Sequence, residues 1–209
     1  MLKNLIKNET PLAICDIGAS PCDPTPHIEE LLNNTRSFLY GFEPNEDEFN
    51  KLKALELKGN REFFKDAIGD GLKKISDALV VQLELSPVPI YKNEKNFSYV
   101  SKLMEDLKFN LHMFSNINTR TFKPMIIGNS TGIGLNTIFQ LDCIFIKNYE
   151  EIDKFNEEKL RKLILIMFYC FKSYDFVDYL ISKLDFLLST NYITEYRSLI
   201  PSLKIIKKY

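Results

Sequence analysis

Several things are scarce in this chain, and each scarcity closes a class of function. There are two histidines and four cysteines among 209 residues. The cysteines (Cys15, Cys22, Cys143, Cys170) form no C-x-x-C pair, and with two scattered histidines they make no metal-ligand cluster, so no metal is expected. Cys15 and Cys143 sit inside apolar runs, where a free thiol acts as a small hydrophobe. The formal net charge is −1, so the chain as a whole is no polyanion binder and no nucleic-acid partner is expected. G-x-G-x-x-G is missing, which argues against a pyrophosphate cradle. "GNSTGIG" (128–134) has glycines but no following Lys-Ser/Thr, so it is no Walker loop. The apolar run "LILIMFYCF" (163–171) is too short to span a bilayer, so no membrane association is expected. "MLKNLIKNET" has lysines but no continuous apolar stretch behind them and does not read as a secretory signal. The expected compartment is a reducing cytoplasm. The basic end "KIIKKY" reads as a solvated terminus.

What is present suits one soluble globular domain with a small appendage: 45% hydrophobic and 26% charged residues. "LAICD" (12–16) reads as a buried strand, "TPHIEELLNN" (25–34) as a helix, "SFLYGFEP" (37–44) as a strand and "NEDEFNKLKALELKG" (45–59) as a helix. That β-α-β-α order is the pattern of a parallel sheet with covering helices. "REFFKDAIGDG" (61–71) reads as a strand ending near Asp66 or, by the spacing of Phe64, Ile68, Leu72 and Ile75, as a helix, against which Gly69 and Gly71 argue. "ALVVQLEL" (78–85) is a strand, and "NFSYVSKLMEDLKF" (96–109) is a helix. "NLHMFSNI" (110–117) and "QLDCIFIKN" (140–148) are two further strands, and the connection between them has room for more β structure. "EEKLRKLILIMFYCFKS" and "YDFVDYLISKLDFLL" predict an αα-hairpin packed on the sheet.

The stretch "LAICDIGASPCDP" (12–24) suggests a ligand edge. Parallel α/β sheets bind ligands beyond the carboxyl ends of their strands. Gly18 follows such an end, permits a tight turn and lets a ligand approach the backbone. Glu43 closes the second strand about 25 residues on, near the spacing at which an acid grips both hydroxyls of a ribose. Asp66, if it ends a third strand, suits an adenine amino group. Three acids on one rim fit a nucleoside better than a phosphate.

These motifs resemble those of the FkbM family of S-adenosylmethionine-dependent methyltransferases: "DIGAS" the first, "GFEPN" the second and "DAIGDG" the third. The likeness continues through "VVQLELSPVPIYKNEKNFSYVSKLMEDLKFNLHMF", "TRTFKPM", "LDCIFIKN" and "LILIMFYCFKSYDFVDYLISKLD", from Leu12 to about Asp185. The resemblance implies an α/β, Rossmann-like methyltransferase sheet, mostly parallel with an antiparallel C-terminal hairpin, plus a C-terminal helical hairpin. It implies a domain over 1–150, internally shortened near 70–77, and a helical extension over 151–209. It implies S-adenosylmethionine as cofactor, held by Asp16, Gly18, Ala19, Ser20, Glu43, Pro44, Asp66 and Ala67. The reaction implied is O-methylation of a hydroxyl on a sugar or other small molecule.

The resemblance breaks at one place. Family members carry, after the third motif, a segment with a central strand ending in D-x-[QE]-G and then a helix. Here "GDG" runs straight into "LKKISDALVVQLE". If 63–68 and 78–85 were neighbouring parallel strands, "GLKKISD" would be too short for a standard helical crossover. A degenerate, non-catalytic module of the same fold is therefore the alternative, with a nucleotide-sugar binder as a third.

For an enzyme, two residues stand out as catalytic. Glu84 ends a strand on the ligand rim and suits holding or deprotonating an acceptor hydroxyl. His112 suits a general base near pH 7. Each also has a plain structural reading: Glu84 as a hydrogen-bonded strand-end acid, His112 as a half-buried strand residue. The apolar C-terminal helices are candidate contact surfaces for a homodimer.

Overall fold

A computed structural model describes residues 12–17, 37–43, 45–54, 60–64, 75–89, 95–128 and 134–199. Among these residues six strands form one sheet: β1 (Leu12–Ile17), β2 (Ser37–Phe42), β3 (Asn60–Phe64), β4 (Val80–Leu85), β5 (Phe109–Arg120) and β6 (Thr137–Lys147). Their order is β3-β2-β1-β4-β6-β5. The first four are parallel, and β6 runs antiparallel to both β4 and β5. The chain is thus mixed α/β, with a parallel half and an antiparallel half joined at β4.

The ambiguous stretch resolves in favour of the strand at its start. Asn60–Phe64 pairs in register with Phe38–Phe42 of β2. It lies at the sheet edge, and β4 lies beside β1 instead. The link from β3 to β4 therefore spans 65–79, and a short crossover between neighbouring strands does not arise. That link ends in a helical turn at 75–77. The helix expected over 25–34 lies outside the described residues.

Helices start where asparagines cap them. Asn45 accepts from the Asp47 and Glu48 amides at 3.0 and 3.3 Å and opens α1 (Glu46–Ala54), whose first turn is acidic. Asn96 opens α2 (Phe97–Asp106), Asn148 opens α3 (Tyr149–Ile152) and Asn156 opens α4 (Glu157–Tyr169), each accepting from an amide three residues on. Then come α5 (Tyr174–Leu188) and α6 (Tyr192–Leu199). Lys172, at positive φ, sits in the turn between α4 and α5.

Alternation along the strands feeds two cores. Val81 and Leu83 of β4, with Leu141, Cys143 and Phe145 of β6, pack with Phe109, Ile75 and Met104 of α2. On the opposite side Val80 and Ile146 meet the α4–α5 hairpin, where Leu163, Ile164, Val177, Leu180, Ile181 and Leu184 are buried together with Tyr196 of α6. Leu12 of β1 joins this face through Ile166 and Cys170.

Two buried charges hold the frame. Lys147, at the end of β6, donates to the Ser76 and Leu107 carbonyls at 2.7 and 3.3 Å and lies 3.8 Å over the Phe109 ring. Burial pushes its pKa below the usual lysine value. Asp185 accepts from Thr190 Oγ1 and from the Tyr192 and Ile193 amides at 2.7–2.8 Å, so it caps α6 from the preceding helix. Asp185→Ala strips three donors of their acceptor in a buried place and is expected to cost about 2–4 kcal/mol. Asp185→Asn, which keeps one acceptor oxygen, is expected to cost less. Urea denaturation of the two variants beside wild type checks the order.

Candidate functional site

The chain direction reverses at β1. It moves outward through β2 to β3, then returns to place β4 on the other side of β1. In open α/β sheets the crevice outside the carboxyl ends at such a reversal is where ligands bind. Here that edge is formed by the ends of β1 at Ile17, β2 at Phe42 and β4 at Leu85. Register aligns Asp16 with Gly41 on one side and with Gln82 on the other. Beyond Leu85 and Leu141 the β5–β6 ladder continues through Asn118–Gln140, Thr119–Ile138 and Arg120–Thr137. The hairpin therefore overhangs the edge as a wall.

Glu43 directly follows β2 and is half-buried. Its Oε1 accepts from the Asn45 amide at 2.7 Å, while Oε2 has no partner among the described residues. Asn45 in turn caps α1, so one short turn both starts the helix and orients the carboxylate.

Glu84 and Asp142 stand directly opposite each other in the β4–β6 ladder. Like charges so placed destabilise a strand pair. Side-chain amides offset the cost. Gln140 Nε2 donates to Glu84 Oε1 at 2.8 Å, and Gln82 Nε2 and Asn116 Nδ2 donate to Asp142 Oδ2 at 2.9 and 2.6 Å. Asn116 reaches inward because the backbone there takes a positive φ beside a break in the β5–β6 register. Glu84 is exposed while Asp142 is buried, so the pair runs from solvent into the sheet. A hydroxyl-bearing ligand would donate to the same kind of acceptor as these amides do. Next to Asp142, on the core side, the Cys143 thiol is pushed up to about 11 by burial and by the Asp142 charge, which makes it a poor nucleophile at neutral pH.

His112 sits apart from this pair. Its Nε2 is 2.9 Å from Ser173 Oγ, and its ring packs 4.9 Å from that of Phe176. Asp142 pairs with Ser115, three residues past His112, and Glu84 is one strand further. At ~3.3 Å per residue and ~4.8 Å per strand, Glu84 and His112 are about 14 Å apart along the sheet. The two candidate catalytic residues are not brought together. Asp175 accepts from Ser173, at 3.4 Å, and not from His112, so the three form no acid–base–nucleophile relay.

Of the residues expected around the cofactor, Gly18, Ala19, Ser20, Pro44, Asp66 and Ala67 lie outside the described residues, and Asp16 is described in its backbone alone. Asp142, Gln82, Asn116 and Gln140 escaped the sequence reading. A lone acid inside the apolar run "LDCIFI" was the available signal. Among the described residues no cluster of His, Cys, Asp and Glu suits a metal ion, and no helix is long and apolar enough to cross a membrane.

No family model matches the chain, and no curated protein matches it. Among solved structures it is similar to one described as a "putative methyltransferase from Thermoplasma acidophilum". The identity is 15% and the TM-score 0.39, over 68% of this chain and 70% of that one. At that level the likeness assigns neither a family nor a substrate.

Burial holds the His112 imidazole below its usual 6.5, with the Asp175 charge opposing. The unfolded chain therefore takes up this proton first as pH falls. The stability contributed by neutral His112 is full above pH 6.5 and declines below it, until the folded ring itself protonates. His112→Gln is expected to flatten that part of the acid-side stability curve. Denaturation at a series of pH values checks this, and ring-proton NMR should place the titration midpoint below 6.5.

Proposed function

We propose that this chain is an S-adenosylmethionine-dependent methyltransferase of FkbM type, acting on a hydroxyl of a sugar or other small molecule. What supports the reading most is the strand order: β1 lies between β2 and β4, Asp16 is in register with Gly41 and Gln82, and Glu43 follows the adjacent strand end. The donor set suits a nucleoside, since a carboxylate with one oxygen turned by its own backbone keeps the other for ribose hydroxyls. Glu43 is the ribose-binding acid in this reading. Asp16, Gly18, Ala19, Ser20, Pro44, Asp66 and Ala67 are the other residues this reading assigns to the cofactor. When bound, S-adenosylmethionine supplies a methyl group already activated for transfer. The chain's own task is to align an acceptor oxygen and help remove its proton. Glu84, exposed at the end of β4 and steadied by Gln140, is the residue assigned to the acceptor hydroxyl. His112 stands about 14 Å from Glu84 along the sheet, and this reading gives it no part in the acceptor step.

A second reading is favoured by one observation. The strand beside β1 ends in E-L-S-P, where the resembled family has a strand ending in D-x-[QE]-G. The sheet thus keeps an acid beside β1, in Glu84, but lacks the segment that normally carries it. A binding module that retains the cofactor and does not transfer its methyl group has the same strand order.

S-adenosylhomocysteine at 100 times its dissociation constant is expected to add about 2.7 kcal/mol of apparent stability, a rise of several degrees in a melting scan. Glu43→Gln keeps an acceptor for the Asn45 amide but loses the charge, and should weaken binding by about 10–100-fold. No shift with wild type removes both readings. A shift without methyl transfer to any hydroxyl acceptor selects the module.

A further inference from the structure

Helix α5 carries two stripes. The inner one, Phe176, Val177, Leu180, Ile181 and Leu184, is buried against α4 and α6. The outer one, Tyr179, Ser182, Lys183, Phe186 and Leu187, recurs at the same helical steps of three and four. Phe186 is 90% exposed and Leu187 50%. Large apolar side chains exposed together on a second helix side mark a contact surface.

The outer stripe is shaped as well, and three of its five residues are aromatic or apolar. Ile152, Phe155 and Leu160 share with it the lining of a groove of about 470 Å³, to which Phe186 also contributes. Tyr149, half-exposed, extends the patch by packing edge-on to Tyr179 at 6.2 Å and 89°. Among the groove's lining residues the charged ones are Asp153 and Lys183, and they pair with each other. The patch is therefore neutral, and it holds a protruding ring and a hollow side by side.

We propose that this face pairs with the same face of a second copy of the chain, each Phe186 entering the other's groove. A two-fold contact sets a patch against itself, so it requires self-complementarity in shape and charge. A projecting ring beside a hollow meets the first need, and an internally cancelled ion pair meets the second. An acidic or basic partner finds no net charge here to match, and an anionic lipid surface finds no excess of lysine or arginine. The contact is one helix face and a turn, which puts it at the small end of specific interfaces, below about 1,200 Å² in total. The dimer is accordingly weak and concentration-dependent.

Sedimentation velocity of the full chain from ~1 to ~200 μM tests this, with a dissociation constant expected in the tens of micromolar, where binding free energies are about −6 kcal/mol. Phe186→Lys should stay monomeric over the whole range, with circular dichroism and melting temperature unchanged. Lys183→Glu makes the patch acidic and self-repelling, so its dimer should be lost at low salt and partly regained at high salt. A wild-type chain that is monomeric throughout overturns the proposal. So does a Phe186→Lys variant that dimerises like wild type, or an assembly that grows past two.

Discussion

The candidate site depends on one strand meeting two different demands. β4 pairs parallel with β1 and antiparallel with β6, and both its faces are occupied. Val81 and Leu83 fill the core under α2, while Gln82 and Glu84 alternate to the other face, beyond Val80. A slip of one residue would carry Val81 and Leu83 out of that core and drive a glutamine and a glutamate into it. Register is thus fixed by burial. With register fixed, Glu84 must stand opposite Asp142, and Asp16 beside Gln82. The carboxylate pair is a by-product of a strand that packs in one way only.

The three buried charges among the described residues differ in how they are satisfied. Lys147 gives its protons to backbone carbonyls, and Asp185 takes two of its hydrogen bonds from backbone amides. Those partners are fixed by secondary structure, and nothing else can replace them without unravelling it. Asp142 takes its hydrogen bonds from the ends of Gln82 and Asn116, which rotate. Glu84 likewise rests on Gln140. Amide side chains stabilise an acidic pair in the free protein and can turn away from it when another donor arrives. The proposed function draws on this difference for Glu84, while Lys147 and Asp185 belong to the frame.

Elements whose hydropathy follows one period were legible in the sequence. The expected bounds of α5 coincide with those observed, and β1, β2, β4 and α2 differ at their ends by a residue or a few. Three features were not legible, for separate physical reasons. The outer ends of β5 and β6, at 118–120 and 137–139, are exposed or half-exposed, so their pairing leaves no alternation to read. Helix α6 is short and polar, and its cap, Asp185, belongs to the helix before it. The partnership of Glu84 with Asp142 depends on register across 58 residues of chain, which no local pattern encodes. Glu43 shows the opposite case. Its place at a strand end was readable, because strand, acid and helix start are consecutive, and the Asn45 turn that orients it lies two residues away.

Helix α5 carries the His112 contact at one end and the proposed pairing face toward the other. Its N-terminal end carries Phe176 against His112, with Ser173 just before it hydrogen-bonded to the same ring. Its 15 residues extend about 22 Å, and the exposed Phe186 lies near the far end. The inner stripe is locked to α4 and α6 along that length, so the helix acts as a rigid strut. Pairing and ligand binding are then separable by mutation, since Phe186 carries no part of the sheet core and Glu43 no part of the helical hairpin.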